Sequence, residues 1–165
     1  MKIIILSDTH MPKKAKKLPN VLCTELDGSD LIIHAGDWQT LEVYQELKAY
    51  APVEGVRGNT DSDEICDLFG DKLLLEIKGY KIGVVHGHGK SRTTEKRSIE
   101  AFEQEEPDAI IFGHSHIPLL RQFNGVTLFN PGSPTDKRRQ PEYSFGILNI
   151  KEKLDFRHIF YNSKE

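Results

Sequence analysis

Five short polar motifs punctuate the chain, each directly after an apolar run: Ser7-Asp8-Thr9-His10, His34-Ala35-Gly36-Asp37, Gly58-Asn59-Thr60-Asp61, Val85-His86-Gly87-His88 and Gly113-His114-Ser115-His116. Carboxylates, imidazoles and a carboxamide suit ions such as Mn²⁺, Zn²⁺ or Fe, whereas structural zinc sites are commonly built from thiolates. Asp8 with His10, and His114 with His116, stand at i and i+2. In extended backbone such pairs project to one side, so each pair is expected to grip one ion. Asp37 carries two oxygens with which to bridge two ions, and Gly36, Gly58, Gly87 and Gly113 allow tight turns beside the ligands. A lone D-x-H is common in turns. Five ligand-bearing strand ends in series are not what turn chemistry alone produces.

The elements that must position these groups alternate between short β-branched runs and helical patterns, which argues for an α/β sheet core. Lys2 to Leu6, Asp30 to Ala35 and Asp108 to Phe112 are apolar without polar alternation, as expected of strands covered on both faces. Helices are predicted over Pro19 to Leu26, Leu41 to Tyr50 and Thr93 to Glu106, with a short strand over Val53 to Val56. Leu73 to Ile77 and Lys81 to His86 flank Lys78-Gly79-Tyr80 as an antiparallel hairpin. Further strands are predicted over Leu119 to Phe123, Val126 to Phe129, Tyr143 to Ile150 and Leu154 to Tyr161, and Asp136 to Glu142 reads as a surface loop. Ligands of open α/β sheets bind outside the carboxyl ends of the strands, where the five motifs fall.

No repeat or linker divides the 165 residues, so one domain over 1–165 is expected, with room for a core. Lys plus Arg number 22 against 25 Asp plus Glu; the net charge of −3 gives no field that would gather polyanions, and nucleic acid is not an expected partner. Cys23 and Cys66 form no C-x-x-C motif, and the apolar run Ile3 to Leu6 is too short for a signal peptide or membrane span. A cytoplasmic protein with no membrane association is the expectation, and homo-oligomerisation is left open.

The order D-x-H, G-D, G-N, H-G-H, G-H-x-H resembles the calcineurin-like metallophosphoesterases, especially their small bacterial and archaeal phosphodiesterase branch, and Asn130-Pro131-Gly132-Ser133 is similar to a loop that closes the site there. The resemblance runs from Ile3 to about Ser133. It implies a four-layer αββα sandwich of two mixed sheets flanked by helices, a layering that the strand count alone does not demand. It also implies that Asp8, His10, Asp37 and His116 hold one ion, and Asp37, Asn59, His86 and His114 the other. Mn²⁺ is favoured, with Ni²⁺, Zn²⁺ or Fe as alternatives. The implied reaction is hydrolysis of a small phosphodiester by a hydroxide bridging ions about 3.5 to 4 Å apart, with no side-chain nucleophile.

One departure from the family pattern bears on function. Many relatives carry a histidine after the asparagine of the third motif, thought to protonate the leaving group; here Thr60 stands there, and an aliphatic hydroxyl is a poor acid near neutral pH. This moves the expectation from phosphomonoesterase towards phosphodiesterase. Asn59 and His88 are the candidate catalytic groups, His88 as acid or phosphate ligand, its alternative being a neighbour that supports the ligands or an exposed histidine. His34 is expected to be a buried, hydrogen-bonded neighbour of the ligands and His158 to be structural. Lys13, Lys14, Lys16, Lys17, Lys90, Arg92, Lys137, Arg138 and Arg139 either form a solvated face or rim the cleft. A different class of function is a scaffold like the retromer subunit of similar fold; that subunit lacks a histidine at the place of His86, which this chain retains.

Overall fold

The computed structural model describes residues 1–165. The elements run β1 (Lys2–Leu6), α1 (Asn20–Leu26), β2 (Leu31–His34), α2 (Leu41–Lys48), β3 (Val53–Gly55), α3 (Asp63–Leu68), β4 (Lys72–Ile77), β5 (Tyr80–Val85), α4 (Thr94–Ala101), β6 (Ala109–Ile111), β7 (Leu119–Phe123), β8 (Val126–Asn130), β9 (Tyr143–Ile150) and β10 (Leu154–Tyr161). Two five-stranded mixed sheets form, in the orders β10-β9-β1-β2-β3 and β4-β5-β6-β8-β7. In the first, β1, β2 and β3 are parallel and β9 and β10 antiparallel; in the second, β5, β6 and β8 are parallel and β4 and β7 are antiparallel edges.

The apolar runs without alternation are strands buried on both faces, and their two faces belong to different layers. Ile3, Ile5, Leu31 and Ile33 meet Ile82, Val84, Ala109, Ile111 and Phe129 between the sheets. Their neighbours Ile4, Leu6 and Ile32 turn the other way, against Leu22 and Leu26 of α1, Val43 and Leu47 of α2 and Ile65 of α3. On the far side, Ile110 and Leu128 pack against Phe102 at the end of α4. Helix, sheet, sheet, helix is thus dictated by the two-residue period of strand side chains, and it is the αββα sandwich expected from the resemblance.

Several boundaries differ. The predicted helix Thr93 to Glu106 stops at Ala101, where Phe102 leaves the helix to fill the layer under β6. The hairpin turn has two residues, Lys78 and Gly79 at φ 51° and 84°, so Tyr80 pairs with Ile77 inside the ladder. Helix α3 was not anticipated; Ser62 caps it by accepting from the Ile65 N–H, and six residues are too few to display a helical period. No helix is long and apolar enough to cross a membrane.

Candidate metal centre

The carboxyl ends of β1, β2 and β3 in one sheet and of β5, β6 and β8 in the other meet at one edge of the sandwich, and backbone hydrogen bonds lace them together. Asp8 N–H donates to Gly36 O at 2.9 Å, His10 N–H to Asp37 O at 3.1 Å, and Gly113 N–H to His86 O at 3.1 Å. The Asn130-Pro131-Gly132-Ser133 loop closes the ring: Ser133 Oγ donates to Asp8 O at 2.8 Å, and Thr135 Oγ1 to Thr9 O at 2.6 Å.

Two groups of ligand-type side chains result, Asp8 with His10 and His116, and Asp37 with His86 and His114, the ligand atoms of each lying within 4.8 Å of one another. The groups interlock. Asp37 Oδ2 lies 3.2 Å from His86 Nε2 and 3.6 Å from His10 Nε2, while Asp8 Oδ1 lies 3.4 Å from His116 Nε2 and 3.8 Å from both His10 Nε2 and His86 Nε2. Asp37 therefore spans the two groups as expected, and Asp8 reaches across as well.

The sequence-level geometry of the i, i+2 pairs needs correcting. Asp8, His10, Asp37, His114 and His116 all have left-handed backbone, with φ of 58°, 44°, 59°, 68° and 62°. None of these segments is extended. The left-handed turn at His114 sends its ring to one group and that of His116 to the other, so this pair does not share an ion site. Left-handed backbone costs a non-glycine residue roughly 1–2 kcal/mol, less for Asp. Five such residues together rival the net stability of a domain, about 5–15 kcal/mol. They persist because the lacing hydrogen bonds and the sheet layers beneath over-determine them, each fully buried aliphatic contributing roughly 1.5–3 kcal/mol. Gly113 is required by space: a Cβ there would lie 1.8 Å from Ser7 Oγ and 2.7 Å from Asp8 Oδ2.

The donor set fits divalent cations. Asp8 Oδ1, His10 Nε2, His86 Nε2 and His116 Nε2 are buried with no partner on the protein. Orphaned buried donors are rare because each costs its full desolvation, and four aimed at one another call for a shared counter-ion. His86 Nδ1 lies 2.7 Å from Ala35 O and His116 Nδ1 2.5 Å from Asp136 O, which places the proton on Nδ1 and leaves the Nε2 lone pair facing inward. Asp8 Oδ2 accepts from Ser7 Oγ at 2.7 Å and His114 N–H at 2.9 Å, turning Oδ1 to the centre. Asn59 is exposed on the loop beside Asp37, held there by Thr60 N–H donating to Asp37 Oδ1 at 3.0 Å.

Without metal, protons take the place of cations. Burial works to raise the pKa of Asp37, but the positive charge of His86, 3.2 Å away, outweighs it and holds the carboxyl down at about 2. Burial likewise opposes ionisation of Asp8, yet His86, His10 and His116 keep it well below the usual carboxylate range. Burial disfavours the charged form of His86, but Asp8 and Asp37 raise its pKa from 6.5 to about 9. Because the folded state binds this proton more tightly than the unfolded chain, the stabilisation is fully present below pH 6.5 and is lost as pH rises towards 9. The melting temperature of metal-free protein should therefore fall across that window through this group, whereas metal-saturated protein, with the proton displaced, should lack the fall. Calorimetry on the two forms checks this; identical pH profiles would refute it.

His88 is exposed, its ring 5.5 Å from that of His86 and 6.4 Å from that of His114, with no hydrogen bond to the protein. Partial burial and then the positive charge of His86 lower its pKa, so it stands neutral at pH 7. Thr60 Oγ1 lies 3.5 Å from His10 Nδ1, at the limit of a hydrogen bond. His34 is buried, accepts from Gly36 N–H at 3.1 Å and meets Thr9 Oγ1 at 3.1 Å, with burial taking its pKa to about 3; it is a neutral neighbour of the ligands. His158 meets Asn130 O at 2.7 Å and stacks on Phe129, away from both groups.

Two positioning residues escaped sequence reasoning. Asp61 accepts from Asp37 N–H at 3.0 Å, Gln39 N–H at 2.8 Å and Gly58 N–H at 2.7 Å, pinning the β2 loop to the β3 loop. Asp136, in the segment read as a plain surface loop, orients His116 through its backbone carbonyl. The available signal was only proximity to the motifs, because both act on or through backbone atoms.

Residues 1–153 match the profile of the calcineurin-like phosphoesterase superfamily domain. A protein of Methanothermobacter thermautotrophicus named "Probable metallophosphoesterase" is 35% identical over 156 residues, covering 94% of this chain and 90% of its own. Among solved structures, an archaeal phosphodiesterase superposes with TM-score 0.75 at 27% identity over 98% of this chain and 100% of that one. Vps29 of Chaetomium thermophilum superposes with TM-score 0.81 at 16% identity over 98% of each chain, a likeness of fold alone. The profile spans all five strand-end motifs, four of which supply the Asp8, His10, His116 and the Asp37, His86, His114 groups: the chain belongs to the calcineurin-like phosphoesterase superfamily.

Proposed function

We propose that this protein is a dinuclear-metal phosphodiesterase acting on small diesters, and that Asp8, His10, Asp37, Asn59, His86, His114 and His116 are the ligands. The observation that carries this reading is the convergence of three buried imidazole nitrogens, those of His10, His86 and His116, on the ionised carboxylates of Asp8 and Asp37. Mn²⁺ is the first ion to load, with Ni²⁺, Zn²⁺ and Fe as alternatives. When bound, two such ions neutralise phosphoryl oxygens and lower the pKa of water to about 7.

The chain's own residues supply the geometry. The Nδ1 contacts of His86 and His116 lock two imidazoles in one tautomer, and the left-handed turns at Asp8 and Asp37 set both carboxylates between the two groups. Asn59 completes the second group from the β3 loop. His88, neutral and unpartnered at the open side, hydrogen-bonds the bound phosphoryl group or leaving oxygen. With Thr60 where relatives carry a proton donor, substrates with good leaving groups are favoured, and the likeness to an archaeal phosphodiesterase supports the diester class. Two free cysteines agree with a reducing cytoplasm. The scaffold alternative draws on fold likeness alone; it too would use the donors to hold a metal, so turnover rather than metal binding separates the two readings.

Mn²⁺-loaded protein should hydrolyse bis(p-nitrophenyl) phosphate with at least about tenfold higher kcat/KM than p-nitrophenyl phosphate; both release p-nitrophenolate, which needs no proton donor, so the ratio reads the ester class alone. Faster monoester turnover would overturn the diester assignment.

A further inference from the structure

The chain's basic residues do not share one surroundings. Arg92 is turned to Glu100, Arg121 to Glu95, Arg57 to Asp71 and Lys72 to Glu105. Lys137 Nζ donates to Pro141 O and lies 5.0 Å from the ring centre of Tyr143. Of the cations without an ion-pair or side-chain hydrogen-bond partner, Lys13, Lys14 and Arg138 share one cavity, of about 280 Å³, whose remaining walls are His10, Gln39, Thr60 and Asp136. No apolar residue lines it. Three cations face one carboxylate there, so the cavity keeps an excess of positive charge although the whole chain is acidic.

Both walls are tied to ligands of the same candidate ion site. Lys14 N–H donates to His10 O at 2.8 Å, and the Lys14 carbonyl is held in turn by Lys164 Nζ at 2.5 Å. Arg138 sits two residues beyond Asp136, whose carbonyl holds His116 and whose N–H donates to Ser133 Oγ at 2.8 Å. The backbone that carries the cations is therefore tied to the Asp8, His10 and His116 group, while their exposed side chains are free to reach a ligand. The cavity opens beside that group, since His10 belongs to both.

Resting on the phosphodiesterase reading, we infer that this cavity selects substrates whose ester arm carries a second phosphate. Unpaired ammonium and guanidinium groups on an open, polar wall recognise phosphate oxygens by charge-assisted hydrogen bonds. A nucleobase or lipid chain finds no aromatic or aliphatic surface there. Lys13, Lys14 and Arg138 are specificity-determining residues, and Asp136 opposes them by limiting the excess charge.

The test compares propane-1,3-diol bisphosphate with propyl phosphate, titrated calorimetrically into Mn²⁺-loaded full-length protein in low salt. Each offers one phosphate to the metals, so the ratio of their affinities reports the second. Wild-type protein should prefer the bisphosphate by at least about tenfold, the worth of one charge-assisted contact. In K13A/R138A and K14A/R138A the ratio should fall towards one, and K13R should keep it. A wild-type ratio near one, or a ratio that survives both double variants, would overturn the inference. Hydrolysis of bis(p-nitrophenyl) phosphate by the wild type, a diester without a second phosphate, reports separately on the phosphodiesterase reading, so the two can fail independently.

Discussion

Asp37→Asn should lower kcat/KM for an aryl phosphodiester by about a thousandfold while leaving the protein folded. Asp37 Oδ2 lies 3.2 Å from His86 Nε2 and 3.6 Å from His10 Nε2, so it is one of two carboxylates within reach of both ligand groups. Asparagine keeps an oxygen to accept from Thr60 N–H, now at 3.0 Å, and preserves side-chain volume. What it removes is the negative charge that two adjacent cations need. Losing one ion forfeits several kcal/mol of transition-state stabilisation, and about 1.4 kcal/mol is a factor of ten in rate, hence the three orders of magnitude. The metal content should fall in parallel. Retained activity with half the metal would show that one ion suffices and that Asp37 is not a bridge.

Loading with Mn²⁺ should raise the melting temperature by roughly 8–16 °C at free metal about a thousandfold above its dissociation constant. Binding to the folded state alone adds about 4 kcal/mol under those conditions, and a domain of this size shifts by about 2–4 °C per kcal/mol. The structural reason is specific. Metal-free protein buries the Asp8 and Asp37 carboxylates against imidazoles that must take up protons, and it holds five ligands in left-handed backbone that the ions help to fix. His114→Ala should give a smaller shift than wild type, because the half-buried His114 belongs to one ligand group only. Equal melting temperatures with Mn²⁺ and with chelator would mean that the donors bind no ion at this site.

Most strands, and the six Asp and His residues that the structure gathers at one sheet edge, could be read from residue order, for a physical reason. Strands such as Ile3 to Leu6 are buried on both faces, so they stand out as apolar runs, and the polar residues that follow them mark the carboxyl edges of the sheets. Helix α3 was invisible because Asp63–Leu68 has fewer than two turns in which to show a period. The left-handed turns were hidden by the residues themselves: Asp8, His10, His114 and His116 look like extended i, i+2 pairs, and no glycine stands at their positive φ to betray the bend. That is why spacing alone puts His114 and His116 on one ion, whereas the resemblance divides them between two, as the structure does. Asp61 and the Asp136 carbonyl act through backbone groups, which carry no side-chain signature. Whether a cation such as Lys14 or Arg92 faces the cleft depends on which carboxylate lies near it in space, and residue order does not contain that.

The most direct measurement is a titration of metal-free protein with Mn²⁺ in which bound metal and bis(p-nitrophenyl) phosphate turnover are read on the same samples. Two interlocked ligand groups predict saturation at two ions per chain, with turnover rising only as both fill. Saturation at one ion with full turnover, or turnover that persists in chelator, would contradict a dinuclear phosphodiesterase built on Asp8, His10, Asp37, Asn59, His86, His114 and His116.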